Sequence, residues 1–209
     1  MVFGRSSRRK PLVEPVTLKI LVAGGFGVGK TTFVSAISEI DPISTEAAIT
    51  EVAAEIDDAA AVESKTTTTV ALDFGRITIA PDLILYLFGT PGQDRFVFLW
   101  DELADGALGA VVLVDTRRVD QCYAAIDYFE RRGTPFVVAV NPFDGSQRYE
   151  LDEVREALDV PPQVPMVACD ARDREAVRVA LVALLKHLLS RAAAEQPAVP
   201  LGGSGAGRR

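Results

Sequence analysis

Val16–Ala23 reads VTLKILVA and runs directly into Gly24-Gly25-Phe26-Gly27-Val28-Gly29-Lys30-Thr31, after which Thr32 opens the stretch TFVSAISEI. The first eight residues are short, β-branched and end at a glycine pair, the pattern of a buried strand. From Lys30 to Ile40 the spacing is helical. Between the two, Gly24, Gly29, Lys30 and Thr31 match G-x-x-x-x-G-K-[ST]. Glycines let successive backbone N–H groups converge on an anion, and the helix starting near Lys30 points the positive end of its dipole at the same spot. Lys30 is then expected to reach the terminal phosphates of a nucleotide, and the Thr31 hydroxyl to ligate Mg²⁺. Gly25, Phe26, Gly27, Val28 and Thr32 complete the cradle. A glycine-rich turn without a ligand is the plain alternative; a strand before and a helix after favour the phosphate site.

Working outward, Val70 to Ala80, Leu83 to Phe88, Leu108 to Asp115, Pro135 to Asn141 and Val164 to Cys169 read as further strands. The middle runs are apolar almost throughout, as in strands covered on both faces. Helical spacing marks Val119 to Arg131, Leu151 to Leu158 and Arg172 to Ala194. Six strands alternating with helices imply a three-layer α/β fold, a mostly parallel sheet with helices on both faces. A basic leader over residues 1–15, a nucleotide-binding domain over 16–192 and a Pro/Gly/Ala-rich disordered tail over 193–209 are the expected divisions. The stretch Glu39–Glu63 holds eight acids and no base. Its alanines predict a short helix near Glu46–Ala60; a mobile, solvated insertion over about 40–65 is the equal alternative.

Composition narrows the function. Hydrophobic residues make up 48% and the net charge is −7. An acidic chain of this kind is a poor match for a nucleic-acid backbone. No apolar run is long enough to cross a bilayer. Two cysteines are too few for a disulfide framework and fit a reducing cytoplasm. Arg5, Arg8, Arg9 and Lys10 allow weak peripheral contact with an anionic membrane face, against the blander reading of a solvated leader.

The choice of base rests on Asn141-Pro142-Phe143-Asp144, which follows a strand. A carboxylate at Asp144 can accept from both N1–H and the exocyclic amine of guanine, whereas adenine offers no such pair and leaves the charge unmatched. Asp170-Ala171-Arg172, after the last strand, falls where a backbone N–H can meet the guanine O6.

With these motifs in place, the chain resembles the Ras-like small GTPases over about residues 16–190. Asn141-x-x-Asp144 is similar to their N-K-x-D, Asp170-Ala171-Arg172 to S-A-K, and Gly89-Thr90-Pro91-Gly92-Gln93 to D-T-A-G-Q. TTTTVALDFGRI, LFGTPGQDRF and VNPFD carry a nearer resemblance to bacterial MglA-type GTPases and the actinobacterial conservon GTP-binding proteins. The resemblance implies a G domain that binds GTP or GDP with Mg²⁺. It also implies a Gly92 N–H on the γ-phosphate, Gln93 orienting the attacking water, and Thr69 (or Thr68) as the switch threonine that ligates the metal. Roadblock-type regulators and a histidine-kinase-like sensor are the partners it implies.

Four departures from that pattern are visible. Gly89 stands where the Ras-like proteins carry an aspartate beside the metal, an aspartate that the MglA-type branch also lacks, which predicts weaker metal binding without loss of function. Phe26 replaces a small residue near the γ-phosphate. Pro142 removes a lysine that bridges the guanine and phosphate loops. No arginine precedes Thr69, so Arg76 and Arg95 are the candidates for an internal finger. Hydrolysis without a finger is expected at about 10⁻⁴ to 10⁻³ s⁻¹. A slow GTP/GDP switch in bacterial signalling is the leading expectation, with a nucleotide-dependent scaffold of little turnover as its rival. A phosphoryl-transferring kinase is disfavoured by the lack of an Arg-rich lid.

Overall fold

The computed structural model describes residues 14–41, 43–48, 69–92, 96 and 98–195. Residues 1–13, 49–68 and the tail after 195, together with Gln93 and Arg95, lie outside the described residues, as do the expectations placed on them.

The strands are β1 (Val16–Ala23), β2 (Ile43–Ala48), β3 (Thr69–Ala80), β4 (Leu83–Gly89), β5 (Gly109–Val114), β6 (Phe136–Val140) and β7 (Met166–Ala168). They form one sheet in the order β2-β3-β4-β1-β5-β6-β7. Strands β4, β1, β5, β6 and β7 run parallel, while β3 is antiparallel to both β4 and β2. The helices are α1 (Lys30–Ile37), α2 (Phe98–Ala104), α3 (Tyr123–Arg132), α4 (Leu151–Ala157) and α5 (Arg174–Glu195).

Alternation along the central strands sorts side chains to two faces. Ile20 and Val22 of β1, Val111 and Leu113 of β5, and Val137 and Ala139 of β6 join Phe33 and Val34 of α1 and Leu181 and Leu184 of α5. Leu21, Ala23, Val112, Val114, Val138 and Val140 face the other way, onto Trp100 of α2, Ile126 and Phe129 of α3 and Val154 of α4. This is the three-layer arrangement the apolar runs predict. Among the described residues no helix is long and apolar enough to cross a membrane.

The six strands expected from sequence are all present, and a seventh corrects the reading of the acidic stretch. Residues 43–48 form β2, where a short helix starting near Glu46 or a mobile insertion is expected. The physical reason lies in β3, whose outer edge presents a row of backbone N–H and C=O groups. Ile43 through Ala48 pair with Phe74 through Thr69 along that edge. Edge pairing overrides the weak strand propensity of Glu and Ala, because propensity in sheets depends on context. Helix α2, built on FLWDELA, is a further element without a counterpart in the sequence reading.

Candidate functional site

The site sits at the carboxyl ends of β1, β4, β5, β6 and β7, where open parallel sheets place their ligands. Between β1 and α1 the chain turns through left-handed backbone at Gly24 (φ 132°), Gly27 (φ 70°) and Gly29 (φ 104°). Close packing adds to the demand for glycine: a Cβ on Gly24 would lie 2.5 Å from the Leu113 carbonyl oxygen, and one on Gly29 2.7 Å from Asn141 Nδ2. The backbone N–H groups of Gly27, Gly29, Lys30, Thr31 and Thr32 make no backbone hydrogen bond among the described residues. These are the orphan donors of a helix start. Phe26 and Gly27 face solvent, so the cradle is open and suits a phosphate group.

Lys30 is buried, and its ammonium donates to the carbonyls of Gly24 (2.9 Å) and Gly25 (2.8 Å). Burial lowers its pKa to about 8, partly offset by the charge of Asp73. Phosphates return the pKa toward its usual value, so nucleotide binding above pH 8 takes up a proton. Affinity for a nucleoside diphosphate is therefore expected to stay nearly level from pH 7 toward 8 and to be about tenfold weaker at pH 9 than at pH 7. A binding titration across pH 7–9 checks this, and a flat profile would contradict it.

Thr31 lies in the first turn of α1, and its hydroxyl donates to Asp73 Oδ2 at 2.7 Å. Thr32 is exposed on the same turn. Gly92 lies on top of the loop, since a Cβ there would meet Lys30 Nζ at 2.5 Å and the Gly25 oxygen at 2.9 Å. The segment carrying it is anchored by Trp100 Nε1, which donates to the Pro91 oxygen at 3.2 Å. Thr69 begins β3 opposite Ala48. Its side chain, like Gln93 and Thr68, lies outside what is described.

Asn141 joins three segments. Its Nδ2 donates to the Val28 oxygen (2.9 Å), and its Oδ1 accepts from the Ala171 N–H (3.0 Å). That N–H, expected to face a base oxygen, is thus already engaged. The Arg172 N–H donates to Asp170 Oδ1. Contact of this loop with a base oxygen requires one of these donors to change partner.

Asp144 is exposed and accepts from Arg172 through both oxygens, at 2.9 and 3.2 Å. Arg172 also donates to Asp170. Its guanidinium holds both carboxyls below the usual carboxylate range, and the two acids raise Arg172 in turn. Asp144 is therefore ionised at neutral pH and aligned by a planar fork. The fork takes one acceptor site on each oxygen, so the exposed carboxylate keeps further lone pairs for a base edge.

The bridge lost at Pro142 has a substitute that the sequence reading missed. Asp115, buried at the end of β5, accepts from Arg117 through both oxygens and from Arg118. Arg118 also donates to the Phe26 oxygen (3.3 Å), while the Arg117 guanidinium lies 3.8 Å from the centre of the Phe143 ring. One buried carboxylate thus ties the phosphate loop to the loop carrying Asp144. Asp-Thr-Arg-Arg after an apolar run was the available signal.

Of the two arginines considered as internal fingers, Arg76 is placed by the fold. Its N–H donates to the Ser38 hydroxyl, past the far end of α1 from Lys30. A helix of eight residues separates them by about 12 Å. A concavity of about 510 Å³ lies between Thr116, Val119 and α4, and no residue of the phosphate loop lines it.

A family model described as "Conserved hypothetical ATP binding protein" matches residues 22–191. The chain belongs to this family. Within it or beside it, Uncharacterized protein MJ1339 of Methanocaldococcus jannaschii is 30% identical over 129 residues, covering 61% of this chain and 71% of that protein. Among solved structures, the FeoB G-domain from Methanococcus jannaschii superposes with a TM-score of 0.54 at 13% identity, covering 83% of this chain and 98% of that one. The cytosolic domain of the T. maritima FeoB iron transporter gives 0.58 at 15% identity, covering 83% and 64%. At such identities the likeness concerns the fold: a nucleotide-binding domain of G-domain shape.

Proposed function

We propose that this member of the ATP-binding-protein family is a guanine-nucleotide switch with slow intrinsic GTP hydrolysis. The observation that carries the reading is Asp144, an exposed and ionised carboxylate aligned by Arg172, a group that can distinguish guanine from adenine. Lys30 and the orphan amides of Gly27–Thr32 would take the phosphates, and Thr31 would hold a Mg²⁺ ion that neutralises phosphate charge. Gln93 orients the attacking water, and ordering of the segments around Thr69 and Gly92–Gln93 distinguishes the triphosphate state from the diphosphate state. The MglA-type and conservon resemblance supports bacterial signalling as the setting, with a roadblock-type regulator and a histidine-kinase-like sensor as partners.

One observation favours a second reading, a scaffold that binds GTP or GDP and barely turns over. Phe26 is 64% exposed on the lip of the loop, where its ring can obstruct the water. Single-turnover hydrolysis by the full chain, wild type against Gln93→Ala, separates the two. A switch loses roughly 10-fold or more of its rate, a typical cost for removing a positioned catalytic group. An unchanged, near-zero rate in both proteins favours the scaffold. Preference for ATP over GTP in binding would sink the guanine assignment in either form.

A further inference from the structure

The sequence places Gly89 where the resemblance calls for an acid beside the metal, and predicts weak metal binding in consequence. The fold changes that expectation. In the antiparallel register of β3 and β4, Phe74 pairs with Phe88. One step further along, Asp73 comes opposite Gly89, and side chains of directly opposed residues share a face of the sheet. A Cβ built on Gly89 would lie 3.0 Å from Asp73 Cβ and 3.0 Å from Asp73 Oδ2. The carboxylate of Asp73 therefore fills the volume that a side chain at position 89 would enter. Position 89 is glycine because its place is taken.

Asp73 also faces the correct helix. Two residues further along β3, Gly75 packs against α1 so closely that a Cβ would meet Val34 Cγ1 at 2.6 Å. Period-two alternation puts Asp73 on that same face, one turn nearer the start of α1. There it accepts the Thr31 proton at 2.7 Å. A threonine hydroxyl has one proton and two lone pairs. With the proton committed to Asp73, the lone pairs point away from the carboxylate and are free for a cation. Among the described residues no group of three or more His, Cys, Asp or Glu side chains forms a metal cage. A cation on Thr31 and Asp73 would complete its shell with nucleotide phosphates and water, as Mg²⁺ usually does.

We propose that Asp73 supplies the metal-side carboxylate of the nucleotide site, delivered from β3 in place of the usual position on β4. It orients Thr31 as a ligand and accepts from water on the cation. The inference rests on the nucleotide-binding reading but not on the choice of base.

The test uses the full-length chain loaded with GDP, and Mn²⁺ as a paramagnetic probe. Mn²⁺ affinity is read from the EPR signal of free ion, and GDP release is followed with and without EDTA. Asp73→Asn, which keeps shape and an acceptor for Thr31, should bind Mn²⁺ about 10–100-fold more weakly. It should also release GDP at a rate that EDTA no longer changes, with metal-free GDP affinity intact. The exchanged pair Asp73→Gly with Gly89→Asp should recover most of the Mn²⁺ affinity, since it restores one carboxylate to the same volume. Unchanged Mn²⁺ affinity in Asp73→Asn overturns the proposal, as does a wild-type GDP complex that takes up no Mn²⁺. If the chain instead retains ADP and rejects GDP, the guanine reading fails while the same experiment with ADP still decides the role of Asp73.

Discussion

Asp144→Ala is expected to weaken GDP and GTP binding by roughly 10²–10⁴-fold while leaving ATP binding nearly unchanged. The carboxylate is ionised and can accept two hydrogen bonds at once from the guanine edge. Removing it deletes both, and deletes the penalty that adenine incurs by leaving the charge unmatched. The variant should therefore lose selectivity more than it loses phosphate binding, because Lys30 and the loop amides are untouched. Competition of ATP and GTP against a fluorescent nucleotide measures the ratio directly. Folding should be preserved, since Asp144 is exposed and its partner Arg172 retains Asp170. Equal losses for ATP and GTP would show that Asp144 stabilises the loop without reading the base.

Asn141→Ala should act differently, on stability first. Asn141 is buried, and its amide satisfies the Val28 oxygen and the Ala171 N–H together. Truncation leaves two buried backbone groups unpaired, at about 1–3 kcal/mol each. A total of about 2–6 kcal/mol corresponds to a fall in Tm of roughly 4–24 °C for a domain of this size. Nucleotide binding should add back stability by mass action. The melting deficit of the variant should then persist at saturating GDP, because binding also needs the two loops in register. Thermal denaturation with and without GDP checks this. A change in Tm below about 2 °C would mean that water replaces the amide at both contacts.

Much of this architecture is legible along the chain because the signals are local. The apolar runs of β5 and β6 and the glycine spacing before Lys30 each identify themselves within a dozen residues. What escapes such reading depends on which strands become neighbours. β2 exists because β3 offers it an edge, not because Ile43–Ala48 favours a strand. Asp73 looks like one more acid in a strand until the register sets it across from Gly89. Gly89, taken alone, signals a missing ligand; paired with Asp73 it signals a relocated one. Asp115, likewise, is ordinary at the end of an apolar run until Arg117 and Arg118 fold back on it. The same holds for Ala171, whose N–H is claimed by an asparagine thirty residues earlier.

The bond from Trp100 to the Pro91 oxygen has a mechanical consequence. Pro91 belongs to the segment over the phosphate loop, whereas the Trp100 ring is sandwiched in the core beside Tyr128 and Phe129 of α3. Displacement of Pro91 therefore pulls on an indole that cannot shift without moving two other rings. The interior is too densely packed to absorb such a pull locally. A disturbance at Pro91 would therefore bear on the packing of α2 against α3. As the chain has a single tryptophan, its fluorescence would report on that contact.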